Sequence, residues 1–144
     1  LATHGVLDER APMQSAIVLT PEGEDDGLVR ARDLADSALR ADMVVLSACE
    51  TALGRHISGE GVIGLTWALF AAGATSTVAT QWQVYDESTR TLMVEFYRRL
   101  LKPAGKAVSK AEALRQAQLA VRSMPQYRHP YYWGAFMLSG NWLP

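Results

Sequence analysis

Met43-Val44-Val45-Leu46-Ser47-Ala48-Cys49 is the stretch on which the fold turns. Four apolar residues in a row, without polar alternation, suit a strand covered on both faces in a parallel sheet. Residues 50–60 follow with two glycines and several charges and read as loop, so Cys49 is predicted to sit where a central strand leaves the sheet. Beyond the loop, Val62 to Ala72 places apolar residues on every side of a helix, which predicts a largely buried helix ended by a left-handed Gly73. Thr75 to Ala79, rich in Thr and Val, reads as the next strand.

A loop around Gln81-Trp82-Gln83 leads to Asp86, expected to cap a helix running to about Leu101. Its apolar face is Leu92, Met93, Phe96, Tyr97 and Leu100, with Arg98, Arg99 and Lys102 at the end that favours positive charge. Pro103-Ala104-Gly105 breaks the chain, and Ser109-Lys110-Ala111-Glu112 has the capping-box spacing that starts a helix to about Ser123. After Pro125, Pro130 and the cluster Tyr131-Tyr132-Trp133, the run Ala135 to Leu138 closes as a last strand. Toward the N-terminus, Ser15 to Leu19 and Leu28-Val29 read as short strands around a Pro-, Gly- and acid-rich turn, and Arg32 to Leu39 has helical spacing. The alternation predicts an α/β fold with a mostly parallel sheet flanked by helices.

The chain has 144 residues, 14 basic and 15 acidic side chains, a net charge of −1 and 49% hydrophobic residues, enough for one domain with its own core. Without a basic excess, no direct nucleic-acid partner is expected. Cys49 is the only cysteine, which forbids an intrachain disulfide and any metal site built on two thiolates, and the chain reads as intracellular and cytoplasmic, with no metal and no cofactor. The four acids between Glu22 and Asp26 match no calcium-loop spacing and read as a solvated turn. The uncharged stretch Gly61 to Tyr85 is long enough to span a bilayer, but Gly64, Gly73, Thr75, Ser76, Thr77, Thr80, Gln81 and Gln83 divide it into helix, turn and strand, so no membrane partner is expected. The opening Leu1-Ala2-Thr3-His4-Gly5, with no initiator Met and the pattern of a strand end, reads as a cut from a longer protein.

In open α/β sheets, functional groups gather beyond the carboxyl ends of the strands. His4 and Cys49 both meet that condition. A thiol is nucleophilic once deprotonated, and imidazole is the side chain whose pKa suits that task near neutrality, so the two at neighbouring strand ends would form an acyl-transfer centre. Gly5 would let a backbone N–H approach a developing oxyanion with no Cβ in the way. The competing reading is a small buried cysteine and a turn histidine. His56, in the glycine-rich loop, and His129, before Pro130, are weaker partners for the thiol.

Ala2-Thr3-His4-Gly5, Val45-Leu46-Ser47-Ala48-Cys49-Glu50-Thr51, Gly59-Glu60-Gly61 and Trp82-Gln83-Val84-Tyr85-Asp86 resemble, in order, successive motifs of the CHAT domain, a caspase-like family often fused to tetratricopeptide repeats. The resemblance covers essentially the whole chain. It implies a caspase-haemoglobinase fold and peptide-bond cleavage by a dyad, with Cys49 as nucleophile, His4 as general acid/base, and the Gly5 and Cys49 backbone N–H groups binding the oxyanion. Ser47 and Thr51 stand where the caspases proper have Gln and Gly, so aspartate specificity does not transfer. Glu50 beside the thiol, Trp82 and Asp86 are candidate substrate contacts, though Trp82 equally suits the core and Glu50 a loop-fixing role; Glu60 suits a structural role. On this resemblance residues 1–144 are the C-terminal, catalytic portion of the domain, with earlier strands upstream. A peptide or protein substrate is expected, together with regulation by a tetratricopeptide-repeat or other segment of the parent chain, and self-association through an uncovered edge. The contrasting expectation is a catalytically silent CHAT module that binds partners.

Overall fold

The computed structural model describes residues 4–47, 49–50, 60–101 and 108–144. The loop expected over 51–59, including His56, and the break at Pro103-Ala104-Gly105 lie outside these residues. Three short strands open the chain, β1 (His4–Val6), β2 (Ala16–Val18) and β3 (Leu28–Arg30), followed by the helix α1 (Ala31–Ala35). Next come β4 (Val44–Leu46), β5 (Cys49–Glu50), α2 (Glu60–Ala71), β6 (Ser76–Thr80), α3 (Asp86–Leu100), α4 (Lys110–Arg122) and β7 (Phe136–Gly140). Two single 3-10 turns, Pro125–Tyr127 and Pro130–Tyr132, connect α4 to β7.

The strands form two ladders, β3-β2-β1-β5 and β4-β6-β7. They meet along one stretch of chain: β4 pairs with β6, and β5, beginning three residues after Leu46, pairs with β1. The expected mostly parallel sheet is corrected to a mixed one. β1–β5 and β4–β6 are parallel, whereas β1–β2, β2–β3 and β6–β7 are antiparallel. Connectivity explains the difference. The connections among β1, β2 and β3 are too short for a crossover and close as hairpins. One helix, α2, carries the chain to the opposite end of the sheet, so β6 enters parallel to β4. Two helices, α3 and α4, bring it back to the end it left, and β7 enters reversed.

β6 is buried at all five positions, and its successive residues serve opposite faces. Val78 packs with Leu92, Phe96, Ala113, Ala117, Val121 and Phe136, the core under α3 and α4. Ala79 packs with Leu46, Leu65, Ala68, Leu69 and Ala31, the core under α1 and α2. The Ser109 hydroxyl accepts the Glu112 backbone N–H at 3.1 Å, the expected start of α4. The return half of the capping box is absent, because the Glu112 carboxylate binds Arg115 and Gln116 instead. Asp86 is the first residue of α3 rather than its cap, which is Tyr85 with no side-chain bond.

Two glycines are positioned by contacts no other residue permits. A Cβ on Gly64 would lie 2.6 Å from the Pro12 carbonyl oxygen, so this glycine lets α2 close onto the 3-10 turn Pro12–Gln14. Gly73, at φ +105°, ends α2 as expected, and a Cβ there would meet the Leu39 carbonyl at 2.9 Å. The helix expected from Arg32 to Leu39 stops early: Ser37 turns its hydroxyl back onto the Leu34 carbonyl, and the Leu39 N–H goes to the Ala72 carbonyl. α2 is also less buried than its composition predicts, with Ile63 and Trp67 more than half exposed on its outer side. Among the described residues no helix is long and apolar enough to cross a membrane.

Candidate active site

β1 and β5 run in the same direction with His4 and Gly5 in register with Cys49 and Glu50. Neighbouring strands are separated by about 4.8 Å, so the His4 and Cys49 backbones share one rung. Gly5 is buried, with Ile17 of β2 as its other neighbour. The described residues therefore include the backbone of both candidate dyad members and of the Gly5 and Cys49 N–H donors, whereas the side chains of His4, Cys49, Glu50 and Glu60 fall outside them.

A second register locates the remaining candidates. Leu46 of β4 is paired with Ala79 of β6, and three residues further along each chain stand Cys49 and Trp82. The Gln81 N–H donates to the Ala135 carbonyl at 2.9 Å, which brings the segment preceding β7 to the same edge. Trp82 ties these two loops together. Its indole N–H donates to the Tyr131 carbonyl at 3.1 Å, its ring lies against Gly134, and 39% of the residue stays open to solvent. It is thus both anchor and surface. Val84, 5% exposed, pins the loop into the α3/α4 core, and Asp86 is exposed at the head of α3.

The structure adds a feature the sequence reading passed over. Tyr85, Tyr127, Tyr131 and Tyr132 form a chain of ring contacts, with centroids 6.1 Å apart for Tyr85–Tyr132, 5.3 Å for Tyr127–Tyr132 and 5.4 Å for Tyr131–Tyr132. The Tyr127 hydroxyl donates to Glu87 at 3.1 Å. Partial burial, then that bond and the neighbouring phenols, push the Tyr127 hydroxyl above its ordinary value. The run Tyr131-Tyr132-Trp133 after Pro130 was the available signal, but its two partners are 46 and four positions away in sequence and only the fold assembles them. His129 is occupied locally, its Nδ1 accepting the Tyr131 N–H at 3.2 Å.

The acidic turn proves self-contained. Asp25 and Asp26 accept the Gly27 and Leu28 N–H groups, and Asp26 pairs with Arg30 at 2.7 Å. Among the described residues no group of three or more His, Cys, Asp or Glu side chains is arranged to hold a metal.

His4 and Cys49, each the first residue of its strand, share one rung of the parallel β1–β5 pair rather than standing beyond the strands' carboxyl ends as expected. Residues 1–141 match the CHAT domain, and the chain belongs to that family. It is 33% identical over 114 residues to tetratricopeptide repeat protein 28 of Mus musculus and 32% identical over the same length to that of Homo sapiens. Those matches take in 79% of this chain but only 4% of each relative.

Proposed function

We propose that the chain bears the catalytic dyad of a CHAT cysteine endopeptidase. The supporting observation is the register of His4 with Cys49 on adjacent parallel strands. In this reading the His4 imidazole takes the proton from the Cys49 Sγ, and the thiolate attacks the carbonyl carbon of a peptide bond. The oxyanion is held by the backbone N–H groups of Gly5 and Cys49. The C–N bond then breaks, the imidazolium gives its proton to the departing amine, and water, deprotonated by His4, hydrolyses the thioester. Glu50, Trp82 and Asp86 would border the substrate. Regulation by a tetratricopeptide-repeat segment of a parent chain is consistent with the names of the relatives.

The test is digestion of a proteome-derived peptide library by the unaltered chain and by Cys49→Ala. New termini produced only with Cys49 are the expected result. The same termini from both proteins would contradict the dyad, and a library left intact by the unaltered chain would favour a CHAT module that binds partners without cutting.

A further inference from the structure

We infer that the tyrosine cluster beside the catalytic edge is a subsite for a lysine or arginine side chain of the peptide substrate; this rests on the peptidase reading above. The cluster adjoins the Trp82 loop, whose indole bonds the Tyr131 carbonyl; Trp82 follows Ala79 by three residues, as Cys49 follows Leu46, on the paired β6 and β4 strands. Tyr85 is 49% exposed and Tyr131 41%, whereas the rings between them, Tyr127 and Tyr132, are half-buried. Two open aromatic rings thus stand on a supported aromatic base.

Partial exposure is ordinary for tyrosine; what distinguishes this arrangement is its geometry and charge. Its ring contacts fix Tyr85 edge-on to Tyr132 at an interplanar angle of 84° and Tyr131 edge-on to the same ring at 86°. Aromatic faces carry negative potential and attract ammonium and guanidinium groups. The charge beside them has the matching sign. Glu87 lies against the Tyr127 hydroxyl, Asp86 precedes it, and no cation is ion-paired with either among the described residues. Nearby Arg122 is stacked over Trp133, 5.7 Å from its centroid, and His129 is bonded to Tyr131. Partial burial, then the bond to Glu87 and the neighbouring phenols, raise the Tyr127 pKa. Arg128, exposed in the turn behind, sets an upper limit on how acidic the face becomes.

The chemistry selects a long cationic side chain over an acidic or short polar one. The methylene stem lies along the rings and the charged head reaches Glu87. Lysine and arginine both satisfy it, whereas norleucine keeps the stem and removes the charge.

The test uses the unaltered 144-residue chain and a panel of peptidyl acyloxymethyl ketones, which alkylate a catalytic cysteine. Members differ at one of the four positions preceding the electrophile, carrying lysine, arginine, acetyl-lysine, norleucine or glutamate. At one position lysine and arginine should label Cys49 about tenfold faster than norleucine, the size expected for a cation held over aromatic faces. Tyr85→Ala with Tyr131→Ala should bring the ratio near one, and Glu87→Gln, which keeps an acceptor for Tyr127, should lower it about threefold. Equal rates for lysine and norleucine at all four positions, or a ratio unmoved by the double substitution, would overturn the subsite. Iodoacetamide, which has no side chain to recognise, is run in parallel: normal pH-dependent labelling with no lysine preference refutes the subsite and spares the dyad. A Cys49 inert to both reagents refutes the peptidase reading, and the subsite with it.

Discussion

The two ends of the β4–β6–β7 sheet treat polar side chains in opposite ways. At the amino end, Lys110 is 1% exposed and its ammonium meets Asp42 at 2.9 Å. The Asp42 backbone carbonyl accepts the Thr75 and Ser76 hydroxyls at 2.7 Å each. These bonds tie the start of α4 to the starts of β4 and β6, with Lys110 buried behind an Asp42 that itself faces solvent. At the carboxyl end, Trp82, Tyr85 and Tyr131 stay partly exposed, and the loops that bear them are joined by single hydrogen bonds. One end holds the sheet together and the other presents it, which is the division expected when ligands bind beyond the carboxyl ends of the strands.

That contrast is breakable by substitution. Asp42→Ala takes the carboxylate from the buried Lys110 side chain; with the Asp42 side chain 71% exposed, water replaces part of the bond, and about 1.5 kcal/mol is expected in urea unfolding, with Asp42→Asn costing less because an amide oxygen still accepts. A loss below about 0.5 kcal/mol, the range of ordinary surface substitutions, would show that this end is not locked. Trp82→Phe keeps the ring against Gly134 and removes the bond to Tyr131, so about 1 kcal/mol is expected. Ser109→Ala removes a helix cap and should cost a similar amount, about 1 kcal/mol. Tyr131→Ala should change stability least, by about 0.5 kcal/mol, and an effect as large as that of Asp42→Ala would erase the contrast.

Acid should weaken the molecule in a defined window. The Asp42 carboxyl is held below its ordinary value first by the bond from Lys110, and Glu95 first by that from Arg99. Glu112 is brought down to about 2 by Arg115 and Gln116. Carboxyls depressed on folding stabilise fully above their unfolded values, and that contribution fades as pH falls through the folded ones. The urea midpoint should therefore be level from about pH 7 to pH 5 and fall below about pH 4.5, with a smaller fall in Asp42→Ala, checked by circular dichroism.

The strands and helices of the sheet core were legible because each follows from local pattern: Val44–Leu46 from its unbroken apolar run, α4 from Ser109 and Glu112, and the end of α2 from Gly73. The direction of β7 was legible in principle, since two helices precede it, but alternation alone suggested a parallel sheet. The outer side of α2 was misread for a related reason. Ile63 and Trp67 are apolar, yet which side of a helix is covered depends on neighbours that periodicity does not name. At the site, the sequence suggested His4 and Cys49 as residues just past strand ends; the structure has each opening a strand, β1 and β5, and it is the parallel register of those strands that puts them on one rung. The tyrosine cluster was not found, because its rings are contributed by the loop before α3 and by both 3-10 turns before β7, and only the return of α4 to the carboxyl edge brings them together.

The central claim, an activated thiol on the His4–Cys49 rung, is tested most directly by the rate of Cys49 alkylation with iodoacetamide from pH 5 to 9 in the unaltered chain and in His4→Ala. A free thiol ionises near pH ~8.5, and a paired imidazole brings reactivity well below that value. At about pH 6 the unaltered chain should react roughly 100-fold faster than His4→Ala, which should follow an ordinary thiol titration. Two superimposable profiles, both rising only near pH ~8.5, would contradict the dyad.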